Sequence, residues 1–159
     1  MNQVRPTSNK VLLALFNILG DKVIGSKFLD LFAGTGRVGL EAINHGASSC
    51  VFVESVKPRA DSIREQVNSE SAIVLSLEIR RALSWLVKRE MRFNIIFADP
   101  PYNSGWGEVV TSLANLENVF DDDALLIVEH SSREKINAHN LQILSIREYG
   151  ETCLTFMKK

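Results

Sequence analysis

Cysteine is scarce in this chain: Cys50 and Cys153 are the only two among 159 residues. Each lies in a short apolar run, with no C-x-x-C or Cys/His spacing around it. That excludes a disulfide framework and a zinc site, and predicts buried free thiols in a reducing compartment. An excess of charge is lacking too. Eighteen Lys and Arg stand against 19 Asp and Glu, a formal net charge of -1. No overall field draws such a chain to nucleic acid or an anionic membrane, so a polyanionic partner must meet a local patch. No apolar run approaches the ~18 residues of a membrane span, and no charged-then-apolar leader opens the sequence, so a cytoplasmic protein is expected. Repeats, low-complexity tracts and linkers are missing as well. What remains is 45% apolar and 23% charged, a composition and length suited to one folded domain over 1–159.

The apolar pattern alternates between two periods. After Pro6, Thr7 and Ser8, the spacing of Val11, Leu12, Leu15, Phe16, Ile18 and Leu19 predicts a helix with a hydroxyl N-cap, ending at Gly20-Asp21. Short buried strands are predicted at Phe28–Phe32, Cys50–Glu54, Ile73–Leu75, Asn94–Ala98 and Ala124–Glu129. Helices are predicted between them at Val38–Asn44, from Pro58 through Val67, over Ala82–Val87, and around Val109, Val110, Leu113 and Leu116. The tail differs, because Leu141–Arg147 and Thr152–Met157 alternate around Tyr149-Gly150 as an antiparallel hairpin does. The expected fold is α/β, a doubly wound, mostly parallel sheet with an antiparallel edge.

Such sheets bind ligands beyond the carboxyl ends of their strands. Asp30, Glu54 and Asp99 fall at those ends and Glu78 follows the third strand closely, so four acids are expected around one crevice. The loop Gly34-x-Gly36-x-x-Gly39 keeps side chains away from a bound ligand, and its spacing serves dinucleotides and other adenosine cofactors alike. Glu54, eighteen residues after Gly36, stands where an acid accepts from both ribose hydroxyls. A pyrophosphate would avoid Asp30 beside the loop, whereas an ammonium-bearing amino-acid moiety would seek it. Asp99-Pro100-Pro101-Tyr102 is the strongest motif. The aspartate and the carbonyl after it accept from an exocyclic amine, the prolines stiffen the turn, and the tyrosine offers a face for a base.

Arg5-Pro6-Thr7, Leu15-Phe16-Asn17-Ile18-Leu19, Asp30-Leu31-Phe32-Ala33-Gly34-Thr35-Gly36, Gly39-Leu40-Glu41-Ala42, Phe52-Val53-Glu54, Asp99-Pro100-Pro101-Tyr102 and Tyr149-Gly150-Glu151-Thr152 together resemble one family. It is the bacterial 16S ribosomal RNA guanine-N2 methyltransferases commonly called RsmD. The resemblance implies a Rossmann-like class I methyltransferase with a seven-stranded sheet, S-adenosylmethionine as methyl donor, and transfer to a guanine N2 of 16S rRNA in the small subunit or its assembly intermediate. No metal is implied, and a monomer is expected. By the same resemblance Asp30, Phe32, Ala33, Gly34, Thr35 and Gly36 would line the methionine end. Glu54 and Ser55 would hold the ribose, Glu78 and Ile79 the adenine, and Asp99, Pro100, Pro101 and Tyr102 the target guanine. Arg5, Thr7 and Tyr102 would touch substrate, with residues 1–20 as a substrate-side helical segment.

The sequence departs from that family in three places. It begins almost at Arg-Pro-Thr, without the usual basic stretch ahead of it, which implies a weak and salt-sensitive grip on bare RNA. Leu12 and Leu13 replace an Arg-Glu pair, and Glu78 replaces the commoner aspartate. Five bases, Arg80, Arg81, Lys88, Arg89 and Arg92, surround the single acid Glu90 and are either a solvated helix face or part of an RNA patch. His45, His130 and His139 lack metal-like spacing and are expected to be satisfied or exposed, and Asp121-Asp122-Asp123 reads as a solvated turn. Two other functions share the motifs: an adenine-N6 methyltransferase, and a catalytically idle cofactor- or RNA-binding paralogue.

Overall fold

In the computed structural model, which describes residues 7–67, 70–101, 105 and 109–159, the Ser8 hydroxyl accepts from the Val11 N–H at 3.2 Å and caps α1, Asn9–Leu19. Gly20, with φ 52°, ends that helix and opens a single 3-10 turn. Three more helices follow: α2 (Arg37–Asn44), α3 (Lys57–Gln66, with Pro58 in its first turn) and α4 (Ile79–Lys88). The strands are β1 (Lys27–Leu31), β2 (Ser49–Val53), β3 (Ala72–Leu75), β4 (Phe93–Ala98), β5 (Phe120–Ser131), β6 (Gln142–Tyr149) and β7 (Thr152–Lys158).

They form one seven-stranded sheet in the order β3-β2-β1-β4-β5-β7-β6. The first five run parallel, while β7 pairs antiparallel with both β5 and β6. The expected doubly wound sheet with a terminal hairpin is therefore present, and the chain reverses its direction of winding between β1 and β4. Helices cover both faces. Leu29, Leu31, Val51, Val53 and Ile96 pack towards Leu83 and Leu86 of α4. Phe28, Cys50, Phe52 and Phe97 pack towards Leu15 of α1, Val38 of α2 and Ile63 of α3. Burial on both faces is why these strands are continuous apolar runs rather than alternating ones. Cys50 and Cys153 are free and buried. Among the described residues no helix is long and apolar enough to cross a membrane.

Two local expectations change. The acids Asp121 to Asp123 lie inside β5, not in a turn before it. Pairing with β4 jumps from Phe93↔Phe120 to Ile95↔Leu125, so the extra residues bulge outward, with Asp123 at φ 58° and Asp122 and Asp123 exposed. The helix expected around Val109–Leu116 falls partly on residues outside the described set. What is described beyond Val110 is turns and a 3-10 turn at Glu117–Val119. Val109 and Val110 are helical, and Val110, Leu113 and Leu116 are buried in the α4-side core.

Gly39 is where α2 meets the sheet. A Cβ there would lie 2.3 Å from a Phe52 ring carbon and 2.9 Å from the Cys50 sulfur. Gly39→Ala is expected to lower stability by about 1–3 kcal/mol through overpacking, read as a lower urea midpoint at unchanged slope.

Candidate active site

The chain leaves β1 through three consecutive left-handed positions at alternate residues, Phe32 (φ 58°), Gly34 (φ 59°) and Gly36 (φ 81°). Two carboxylates pin this turn. The Gly39 N–H donates to Asp30 Oδ2 at 3.0 Å from above the sheet. Gly34 N–H donates to Glu54 Oε1 at 2.9 Å, and Val56 N–H donates to Glu54 Oε2 at 2.8 Å, which ties the loop after β1 to the loop after β2. Asp30 and Glu54 are 1% and 6% exposed. Burial drives the Asp30 carboxyl up to about 7; the Gly39 amide pulls it down and the charge of Glu54 adds to the rise. Gly36, the N-cap residue of α2, has no side chain of its own to cap the helix.

Around the turn, Phe32, Ala33 and Gly34 are half-buried, Gly36 is buried, and Thr35 and Ser55 are exposed. Glu78 is exposed and caps α4, its Oε1 accepting from Arg81 N–H at 2.8 Å. Ile79 is buried in the α4-side core. Asp99 is half-buried at the end of β4, with Pro100 buried and Pro101 exposed after it. Thr7 Oγ1 lies 3.4 Å from Asp99 Oδ2 and 3.1 Å from Glu129 Oε2. Arg5 and Tyr102 lie outside the described residues, so whether Arg5, Tyr102 and the α4 bases share a face lies outside them too.

Two residues here carry no local signal in the sequence. Glu129 ends a predicted strand; its place beside Asp99 follows from the β4–β5 register, Phe97↔Ile127 and Ala98↔Val128. Arg37 belongs to none of the motifs. Its guanidinium donates to the Thr7 carbonyl at 2.8 Å and to Asn9 Oδ1, so a base from α2 holds the start of α1 over the sheet. That bond supplies a polar tie near the place where Leu12 and Leu13 replace the Arg-Glu pair.

The basic cluster is divided by the fold. Arg80 and Arg81 open α4 just beyond the carboxyl end of β3, whereas Lys88, Arg89 and Arg92 lie where the chain has returned to the start of β4. All five are exposed, and Arg89 stacks 3.7 Å over the Trp85 ring. The histidines are satisfied or exposed: His130 bonds Thr155 Oγ1 at 2.7 Å and the Ser131 carbonyl at 2.8 Å, His45 bonds Glu41 at 2.9 Å, and His139 is exposed. Among the described residues no group of three or more His, Cys, Asp or Glu is placed to hold a metal ion.

Residues 1–158 match the family model described as "Conserved hypothetical protein 95". A Bacillus subtilis protein named "Putative rRNA methyltransferase YlbH" is 30% identical over 98% of this chain and 88% of its own. The Escherichia coli K12 "Ribosomal RNA small subunit methyltransferase D" is 30% identical over 79% of this chain and 64% of its own. The chain belongs to the RsmD-like family of S-adenosylmethionine-dependent methyltransferases. A Thermus thermophilus structure, a 16S rRNA N2 G1207 methyltransferase in complex with AdoMet and guanosine, superposes with a TM-score of 0.76. It is 26% identical over 99% of this chain and 44% of that one.

The donor set of this RsmD-like chain fits the family's cofactor. Acids at the ends of β1 and β2 and just after β3 suit a ligand that offers an ammonium, a ribose diol and an exocyclic amine, all of them proton donors. Each Glu54 oxygen already takes one backbone N–H and retains a second lone pair for a hydroxyl.

The raised Asp30 carboxyl has a consequence for stability. Between the unfolded value of 3.8 and about 7 the folded chain binds the extra proton, so stability falls as pH rises through that interval. Urea unfolding across it is expected to show a loss on the order of 4 kcal/mol from this group, and Asp30→Asn should flatten that part of the profile.

Proposed function

We propose that this protein is a methyltransferase that uses S-adenosylmethionine to methylate the exocyclic N2 of a guanine in 16S rRNA, within the small ribosomal subunit or its assembly intermediate. The observation that carries the reading is the position of Asp99-Pro100-Pro101 at the end of β4, next to β1 and its cofactor-type loop, at the point where the winding of the sheet reverses. The guanosine and AdoMet of the Thermus relative favour guanine over adenine as the base.

When bound, the cofactor supplies an electrophilic methyl group on a sulfonium that is already a good leaving group. In this reading the chain's work is alignment. Asp30 faces the ammonium, Glu54 accepts the ribose hydroxyls, and Glu78 accepts the adenine amine while still capping α4. Asp99 and the Pro100 carbonyl accept from the guanine amine and aim its lone pair, with Tyr102 stacking on the base. Holding both partners in line contributes most of the acceleration. Arg80 and Arg81 sit at the same end of the sheet and are suited to phosphate contacts.

Mass spectrometry of small-subunit RNA nucleosides from a deletion strain tests the substrate. Loss of one N2-methylguanosine is expected, whereas loss of N6-methyladenosine with N2-methylguanosine intact would overturn the reading. Asp99→Ala is expected to abolish transfer while cofactor affinity stays within about tenfold, roughly 1.4 kcal/mol. Labelled cofactor and undermethylated subunits measure both, and undiminished transfer by Asp99→Ala would count against the role of Asp99.

A further inference from the structure

The α1-side face of the sheet carries three acids that no cation partners among the described residues. The ion pairs described are His45–Glu41, Lys57–Asp61 and Arg64–Asp61, all at the surface. Register places the three acids together. Asp30 pairs with Phe97, Phe97 with Ile127, and Asp99 and Glu129 are each two residues further along β4 and β5. Side chains alternate along strands, so Asp99 and Glu129 project on the same face as Phe97 and Ile127, beneath α1. Glu129 is 4% exposed and Thr7 6%.

Counting hydrogens constrains the charge of this cluster. Thr7 Oγ1 touches both carboxyls, at 3.1 Å to Glu129 and 3.4 Å to Asp99. Two hydrogen bonds through one hydroxyl oxygen need two hydrogens, and the hydroxyl owns one. The second belongs to a carboxyl, which also spares two acids that face one hydroxyl from standing ionised together.

We propose that Glu129 is a positioning residue for the target amine. The charge of Glu129 keeps Asp99 a neutral carboxylic acid against the opposing pull of Thr7, so that Asp99 turns its carbonyl oxygen to the amine and donates its own O–H to Thr7 Oγ1, whose hydroxyl donates to Glu129. In that state Asp99 has one acceptor and one donor in fixed places, as a carboxamide would, and its acceptor cannot swing away while the donor is held. The electrostatics agree. Asp99 is driven well above the ordinary carboxylate range by burial first, then by the charges of Glu129 and Asp30. Glu129 is raised by burial and lowered by the hydrogen bond from Thr7. The shorter Thr7 contact, 3.1 Å to Glu129 against 3.4 Å to Asp99, directs the hydroxyl hydrogen to Glu129 and leaves the shared proton to Asp99. Among the described residues, the groups that face the pair are Asp30 on β1, with Glu54 behind it, and Thr7 ahead of α1, whose carbonyl is held by the Arg37 guanidinium. His130, next to Glu129, points to the opposite face and bonds Thr155.

This inference rests on Asp99 as the amine's acceptor, and it is tested apart from that reading by a measurement that needs neither cofactor nor RNA. In the full-length, carbon-13-labelled protein, the side-chain carboxyl resonances of Asp99 and Glu129 are followed through a pH titration. Asp99 is expected to be protonated at neutral pH and to titrate at least about one pH unit lower in Glu129→Gln, a tenfold loss of proton affinity. An Asp99 already ionised at neutral pH, or one whose midpoint Glu129→Gln leaves in place, overturns the proposal without touching the methyltransferase reading. Loss of methylation specificity for guanine would overturn that reading without touching the titration.

Activity supplies the second readout. The rate in wild type should fall at alkaline pH as the pair loses its shared proton. Asp99→Asn, which cannot ionise, should lose that alkaline fall and retain transfer measurably above that of Asp99→Ala, while Glu129→Gln lowers kcat by more than about tenfold with KM for the cofactor little changed. An Asp99→Asn variant as inactive as Asp99→Ala refutes the carboxamide-like role. Should Glu129→Gln not fold, the wild-type titration and Asp99→Asn decide by themselves.

Discussion

α2 lies so close to the sheet that one methyl group at position 39 would overlap the Phe52 ring, and the proposed cofactor end of the site is built outward from that approach. Because Gly39 has no side chain, its backbone N–H reaches Asp30 in the strand below. With Asp30 engaged, the intervening residues 32–36 must turn through left-handed backbone in a short span, and Glu54 then anchors the turn at Gly34. A carboxylate and a glycine thus act as a single device. The acid satisfies an amide that a helix N-terminus would otherwise leave unpaired, and the glycine allows the acid to reach it.

Placing acids at this end of a parallel sheet is costly, and the structure manages the cost in different ways at different strands. Glu54 takes two backbone amides. Glu78 stays exposed and caps a helix. Asp30 has one amide and stands close to neutrality. Asp99 and Glu129 share one hydroxyl, that of Thr7. A site that receives proton donors from its ligands is suited to such a surplus of acceptors, since binding replaces the interactions that burial removed.

Much of this architecture was legible in the residues. Apolar runs bounded by glycine and proline marked the five parallel strands, because a strand covered on both faces has no polar side to show. The hairpin alternation around Tyr149-Gly150 marked the antiparallel end. The Asp99-Pro100-Pro101 motif, the glycine loop and the acids after successive strands marked the end of the sheet at which the candidate site is proposed. Other features were not legible. Asp121 to Asp123 looked like a turn because acids in sequence are solvated, yet a bulge exposes acids equally well without ending a strand. The bases from Arg80 to Arg92 could be a solvated helix face or part of an RNA patch on sequence alone, and only the fold shows that α4 carries them to opposite ends of the sheet.

What the sequence by itself determined was local: which segments are helix or strand, which turn needs glycine, and which residue types could meet an amine or a ribose. Those depend on periodicity and on neighbours a few residues away. The pairing of Asp99 with Glu129, the bridge from Thr7 and the grip of Arg37 on Thr7 were decided only by tertiary structure. They join residues separated by 30 to more than 90 positions, and they depend on β4 and β5 lying side by side in a given register. A shift of one residue in that register would turn Glu129 to the other face of the sheet, so its role is a property of strand pairing that no local pattern in the chain records.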